Sequence, residues 1–161
     1  MNLTVFTSGG TFDKIYHDAL SEFKIGDPMV PILLQEAGVN FDYQLEVLLK
    51  KDSLELTDAD RNLLHQRISH CPSSHILLTH GTDTMSETAE HLLDIKNKVI
   101  VLTGAMQPAR MRSSDAAFNL GVAIGALQTL TAGVYIAMNG CIFEAGSVKK
   151  NHSAGRFENK S

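Results

Sequence analysis

The stretch His75-Ile76-Leu77-Leu78-Thr79-His80-Gly81-Thr82-Asp83-Thr84 decides how this chain folds. Its first half is a short apolar run of the kind that forms a buried strand, and its second half is a polar turn. Residues 85–93 follow with helical character. Thr84 with Glu87 three positions on fits a capping box, so the spacing predicts a helix beginning there. Unpaired N–H groups and the dipole at such a helix start favour an anionic ligand. Taken alone, residues 80–84 require no ligand, because Thr and Asp are good turn and cap residues.

Working outward, the same pattern recurs. Leu3-Thr4-Val5-Phe6-Thr7 reads as a strand and runs into Ser8-Gly9-Gly10-Thr11, where two glycines let the backbone turn sharply and let a ligand approach. The loop is neither a Walker loop nor GxGxxG, so a nucleotide-binding reading lacks its lysine or third glycine. Residues 43–49 read as a strand closed by Lys50-Lys51-Asp52-Ser53. Val99-Ile100-Val101-Leu102 reads as another, ending in Thr103-Gly104-Ala105-Met106-Gln107-Pro108. Gly133-Val134-Tyr135-Ile136-Ala137 is the fifth, and Asn139-Gly140 signals a hairpin back through Ile142 and Phe143.

Between the strands, Asp27-Pro28 is expected to start a helix that Gly38 ends. Thr57 and Asp60 suggest a capping box for a helix with Leu63, Leu64 and Ile68 on one face. Ser113 or Ser114 is expected to cap a long helix reaching Leu130, on which Gly121 and Gly125 would allow close packing on the sheet. Residues 12–24 have no clean period and read as a mobile surface loop of the length that lids often have. Residues 147–150 read as a polar tail.

Strands alternating with helices imply an α/β fold of Rossmann or flavodoxin-like type, a three-layer sandwich around a mostly parallel sheet. In such sheets ligands bind at the carboxyl ends of the strands. The turns 8–11, 52–53, 81–84 and 104–107 all follow strands, so they converge on one edge. Four coincident polar turns are hard to explain by capping alone, and they make that edge the candidate site.

Composition narrows the classes. The chain has 161 residues with 43% hydrophobic, enough for a single domain that buries roughly 70% of its unfolded surface. No apolar run approaches the roughly 20 residues of a spanning helix, so no membrane partner is expected. Net charge is −4, with 14 scattered basic residues, which argues against nucleic acid. Cys71 and Cys141 form no CxxC pattern, and the chain enters a strand at Leu3 without a leader, so a cytoplasmic protein is expected. The seven histidines show no HExxH spacing, and His65 and His70 lie five apart, off a common helix face. No metal is therefore expected. His80 reads as a histidine facing the core from a strand end. The convergent turns are rich in hydroxyls (Thr11, Ser53, Thr82) beside Asp83 and, if the tail folds back, Lys150. A hydroxyl of this kind needs a neighbouring base, for which a lysine or tyrosine suffices.

At this point a resemblance becomes specific. Thr-Ser-Gly-Gly-Thr near the start, His-Gly-Thr-Asp-Thr-Met-Ser-Glu-Thr, Leu-Thr-Gly-Ala-Met-Gln-Pro and Ser-Asp-Ala-Ala-Phe-Asn-Leu resemble, in order, the bacterial-type L-asparaginase family across nearly the whole chain. The resemblance implies hydrolysis of L-asparagine to aspartate and ammonia without a cofactor, by a homo-oligomer. It implies that Thr11 is the primary nucleophile and Tyr16 its partner. Ser53 would hold the substrate α-carboxylate and Asp83 the α-amino group. Thr82 would be the second threonine and Lys150 its activator, although Lys149 stands next to it. The Ala105 carbonyl would face the leaving nitrogen, with Gly10, Asp52 and Gly81 lining the same substrate site. Family enzymes usually carry a second, carboxyl-terminal domain that lends a glutamate to the neighbouring site. Nothing in residues 1–161 supplies it, so the chain resembles the short, single-domain form. A catalytically weak amino-acid-binding module using Ser53 and Asp83 is the alternative from another class, beside an amidase acting on another small amide at the same site.

Overall fold

A computed structural model describes residues 1–160 of the chain. Its centre is a six-stranded sheet formed by β1 (Leu3–Gly9), β4 (Tyr43–Lys51), β5 (His75–Thr79), β6 (Val99–Thr103), β7 (Gly133–Met138) and β8 (Cys141–Glu144). The order across the sheet is β4-β1-β5-β6-β7-β8. The first five strands are mutually parallel, and β8 returns antiparallel to β7. Ignoring the antiparallel edge, this is the flavodoxin-like order, whose topological switch lies between β1 and β5. The Asn139-Gly140 hairpin is present, with both residues at positive φ, 55° and 76°.

Strand alternation divides the core into two layers. Leu3, Val5, Leu77, Val99 and Val101 pack against helices α1 (Val30–Glu36) and α4 (Ala116–Thr129). Phe6, Ile76, Leu78, Ile100 and Leu102 pack against α2 (Asp58–His70) and α3 (Met85–His91). The central strands are covered on both faces, which is why they read as continuous apolar runs.

Several local expectations are corrected by long-range contacts. Residues 12–24 are not without regular structure: after a single turn of 3-10 helix, β2 (Lys14–His17) and β3 (Glu22–Ile25) form an antiparallel hairpin. Its strands are four residues each and hold together through Tyr16–Phe23 pairing, which a period search does not detect. Helix α1 begins at Val30 rather than at Pro28, because Asp27 turns out to Lys50 (2.8 Å) while the carboxylate of Asp13 accepts the Met29 N–H (2.9 Å). The cap is supplied from 16 residues upstream. Gly38 ends α1 at φ +60°, as read.

The Thr57–Asp60 capping box forms. Leu63, however, is exposed, and Arg61 takes its place on the buried face with Leu64 and Ile68. The Thr84–Glu87 box does not form. The Thr84 hydroxyl donates to the Ser53 carbonyl (2.8 Å), and Glu87 accepts from Arg61. The cap position of the long helix is Asp115 rather than Ser113 or Ser114, although the Ser114 hydroxyl just before it accepts the Ala116 N–H at 3.0 Å. Gly121 and Gly125 face an apolar groove beside Leu33 and Ala37, not the sheet. The segment read as a polar tail is the hairpin of β9 (Val148–Asn151) and β10 (Arg156–Asn159).

Candidate active site

The four polar turns meet at the carboxyl ends of β4, β1, β5 and β6, and glycine is what lets them touch. Gly10 turns at φ +81°, and a Cβ there would lie 2.5 Å from the Gly81 backbone. A Cβ at Gly81 would lie 2.7 Å from Ser53 Oγ. Three chain segments therefore pass within backbone contact at the switch point between β1 and β5, an approach no residue with a side chain permits. The Ser8 hydroxyl ties the two strand ends together by donating to the Thr79 carbonyl (3.0 Å).

Ser53 opens a one-turn 3-10 helix, Ser53–Glu55, behind Asp52. Its Oγ accepts the Asp83 N–H (3.2 Å) and the Thr84 N–H (3.4 Å). The N–H groups at the start of α3, which the sequence suggested for an anion, are thus directed at a serine hydroxyl. Asp52 points away from this contact and pairs with Lys14 of the β2–β3 hairpin at 2.7 Å.

From the other side comes β9. Lys150 places Nζ 2.8 Å from Thr82 Oγ1 and 2.6 Å from Asp83 Oδ1, with most of its side chain buried. Strand alternation turns the neighbouring Lys149 outward, so Lys150 is the lysine that meets Thr82. His152, in the β9–β10 turn, approaches Asp83 at 3.8 Å. Thr11 is half-buried at the first turn after Gly10. Tyr16 is about half exposed and packs edge-on against Phe23, with ring centres 5.4 Å apart. The Thr11 and Tyr16 hydroxyls share no hydrogen bond among the described residues.

The turn after β6 is held by α4. Asn119 donates to the Gly104 carbonyl (3.0 Å), and the Asp115 carboxylate accepts the N–H groups of Met106 and Gln107 (3.0 Å each). Ala105 is buried between these anchors. His80 is fully buried, as expected. Burial, the largest influence on it, holds its pKa down to about 4, so the ring is neutral at neutral pH. Asp13, two residues beyond Thr11, is also buried, and burial raises its carboxyl to about 6 against the lowering effect of the Met29 N–H and Arg110. Among the described residues no His, Cys, Asp and Glu cluster of metal-binding type occurs.

With this geometry in place, comparison with known proteins decides the family. The model of the family "Asparaginase, N-terminal" matches residues 2–158. The chain belongs to the asparaginase family. It is 33% identical over 160 residues to the probable periplasmic L-asparaginase of Haemophilus influenzae, covering 92% of this chain and 46% of that one. To L-asparaginase 2 of Escherichia coli it is 39% identical over 167 residues, covering 94% and 47%. Among solved structures, the thermostable L-asparaginase of Thermococcus kodakarensis superposes with a TM-score of 0.85 at 26% identity, covering 99% of this chain and 51% of that one. The chain spans about half the length of these asparaginases.

Of the positions expected to form an asparaginase site, the structure brings Gly10, Ser53, Gly81, Thr82, Asp83 and Lys150 into direct contact with one another. Asp52 adjoins them through its backbone while its side chain serves the hairpin. Asp115 and Asn119 lie inside one of the asparaginase-like motifs, where nothing in the sequence assigns them a task. Their signal was present, an Asp and an Asn four apart on one helix face, yet nothing local says that they reach the turn after β6. Thr88 likewise closes the quoted motif that begins at His80 without a task read for it, and Arg61 was not singled out at all.

Proposed function

We propose that this protein hydrolyses the side-chain amide of L-asparagine to aspartate and ammonia, with Thr11 and Thr82 supplying the reactive hydroxyls. The observation that carries the reading is the placement of Lys150 Nζ against both Thr82 Oγ1 and Asp83 Oδ1. A threonine hydroxyl is a weak nucleophile until a neighbour takes its proton, and a lysine amine within hydrogen-bond reach is such a neighbour once it is neutral. Asp83 receives the substrate α-ammonium. Ser53 Oγ already accepts two N–H groups, so its own O–H is left to donate to the substrate α-carboxylate. These two contacts fix the amino-acid head. The side-chain amide then lies towards Thr11, where acylation releases ammonia towards the Ala105 carbonyl and water completes hydrolysis. Backbone N–H groups stabilise the oxyanion, and Tyr16 reaches Thr11 when the hairpin closes as a lid. We extend the proposal to a homo-oligomer in the cytoplasm, a reducing compartment that suits the free thiols of Cys71 and Cys141.

A second reading, an amino-acid-binding module of little catalytic power, is favoured by two features: Lys150 is ion-paired with Asp83, and the Thr11 and Tyr16 hydroxyls share no hydrogen bond among the described residues. Ammonia release from L-asparagine separates the two. Thr11→Ala and Thr82→Ala should each lower turnover by roughly 10²-fold or more while the fold is kept. Near wild-type turnover in both variants overturns the mechanism. Calorimetric binding of L-aspartate without ammonia release establishes the second reading instead.

A further inference from the structure

We propose that Arg61, Thr88 and His80 form a buried positioning relay that sets the Gly81 peptide, and through it the Thr82 hydroxyl and the Asp83 carboxylate. The inference rests on the reading of Thr82 and Asp83 as working groups.

The protons of the relay can be placed without ambiguity. His80 Nδ1 lies 2.7 Å from the Gly81 carbonyl oxygen, which can only accept, so Nδ1 carries the hydrogen. In a neutral ring Nε2 is then an acceptor, and its partner at 2.8 Å is the Thr88 hydroxyl, which must donate. The Thr88 oxygen in turn accepts Arg61 Nε–H at 3.2 Å. The chain of bonds runs one way, from α2 through α3 to the peptide just before Thr82. Thr88 and His80 are fully inaccessible, and Arg61 is nearly so. Burial and the nearby guanidinium both disfavour the imidazolium, so the neutral ring persists at working pH.

Arg61 does a second thing at the same site. Its Nη1 donates to the Leu56 carbonyl (3.3 Å), closing the short turn that begins at Ser53. The Ser53 turn and the Gly81–Asp83 turn are therefore aligned twice, once directly through Ser53 Oγ and once through one guanidinium behind them. Stability alone does not call for this residue. Its acidic neighbours, Asp58 at 3.9 Å and Glu87 at 3.3 Å, are largely exposed and offer weak compensation for burying a cation. An apolar side chain in line with Leu64 and Ile68 would bury there without that cost. Orientation of the two substrate-holding turns is what the guanidinium adds.

The test uses the whole chain and two readouts. In the wild-type protein, long-range 1H–15N NMR of His80 should show a neutral ring protonated on Nδ1 from pH 5.5 to 8. An Nε2–H ring, or titration near the ordinary histidine value, overturns the relay whether or not the protein hydrolyses asparagine. In Thr88→Val, which keeps shape and removes the hydroxyl, kcat/KM for ammonia release should fall roughly 10- to 100-fold with circular dichroism unchanged, the cost of a misaligned site. Thr88→Ser should restore it to within a few-fold. A folded Thr88→Val with wild-type kcat/KM overturns the proposal. If the wild-type protein releases no ammonia, the functional reading has failed separately. The relay is then judged on amide shifts of residues 81–83, which should move in Thr88→Val and return in Thr88→Ser, while unmoved shifts overturn it. If Thr88→Val does not fold, the same comparison is made with Arg61→Met, with the same expected loss and the same refuting result.

Discussion

Replacing Asp13 by asparagine should stabilise this protein at neutral pH and make it newly acid-sensitive. The Asp13 side chain, just before the β2–β3 hairpin, is buried and accepts the Met29 N–H at 2.9 Å. Burial raises its carboxyl from 3.8 to about 6, with the Met29 bond, Arg110 and Lys50 opposing. At about 1.36 kcal/mol per pH unit, holding it ionised in the folded state costs about 3 kcal/mol above pH 6. That cost is absent below the unfolded value of 3.8, where both states are protonated, and it accrues as pH rises through the folded value. His80 runs the opposite way. Its folded value, about 4, lies below the unfolded 6.5, so its contribution is intact above 6.5 and about 3 kcal/mol is lost as pH falls towards 4. In the wild-type chain the two windows overlap and offset each other. In Asp13→Asn the side-chain amide keeps an acceptor for the Met29 N–H but cannot titrate. Urea denaturation at pH steps from 4 to 8 should therefore show the variant up to about 3 kcal/mol more stable at pH 7. At pH 4 it should equal the wild type, with a decline between 6.5 and 4 that the wild type lacks. A variant less stable at pH 7, with a curve parallel to the wild type, would refute the reasoning and show that Arg110 outweighs burial.

Three further outcomes follow from the packing of the site and its sheet. Gly10→Ala drives a Cβ to 2.5 Å from the Gly81 backbone at φ +81°, and should cost about 1–3 kcal/mol in thermal unfolding together with ligand affinity. Thr79→Val removes the buried hydroxyl in central β5 that has no hydrogen-bond partner among the described residues, and should be neutral or stabilising by about 1 kcal/mol in urea. Lys150→Met should abolish ammonia release while Lys149→Met leaves it within a few-fold, because only the inward lysine touches Thr82; equal loss in both would undo the assignment.

How much of this was legible beforehand depends on the range of each interaction. Parallel strands announce themselves as unbroken apolar runs, and their exit turns as glycine with hydroxyl and carboxylate residues, because both are dictated by neighbours in sequence. That was enough to specify the parallel strands, the edge on which their polar turns converge, and Gly10, Ser53, Gly81, Thr82 and Asp83 as residues of that edge. The Thr57–Asp60 cap and the Asn139-Gly140 turn were readable for the same reason. What only the tertiary structure decided are contacts between distant segments. Asp13 rather than Asp27 caps α1, since the latter is drawn to Lys50. Lys150 rather than Lys149 reaches Thr82, since the face of β9 is set by its pairing with β10. Gly121 and Gly125 line a surface groove because the sheet contact of α4 falls on its other side. The β2–β3 hairpin was missed because four-residue strands carry too little pattern. Arg61, a charged residue on an apolar helix face, is the clearest case: its position is local, but Thr88, Leu56 and Glu87 become its partners only when α2, α3 and the Ser53 turn pack together.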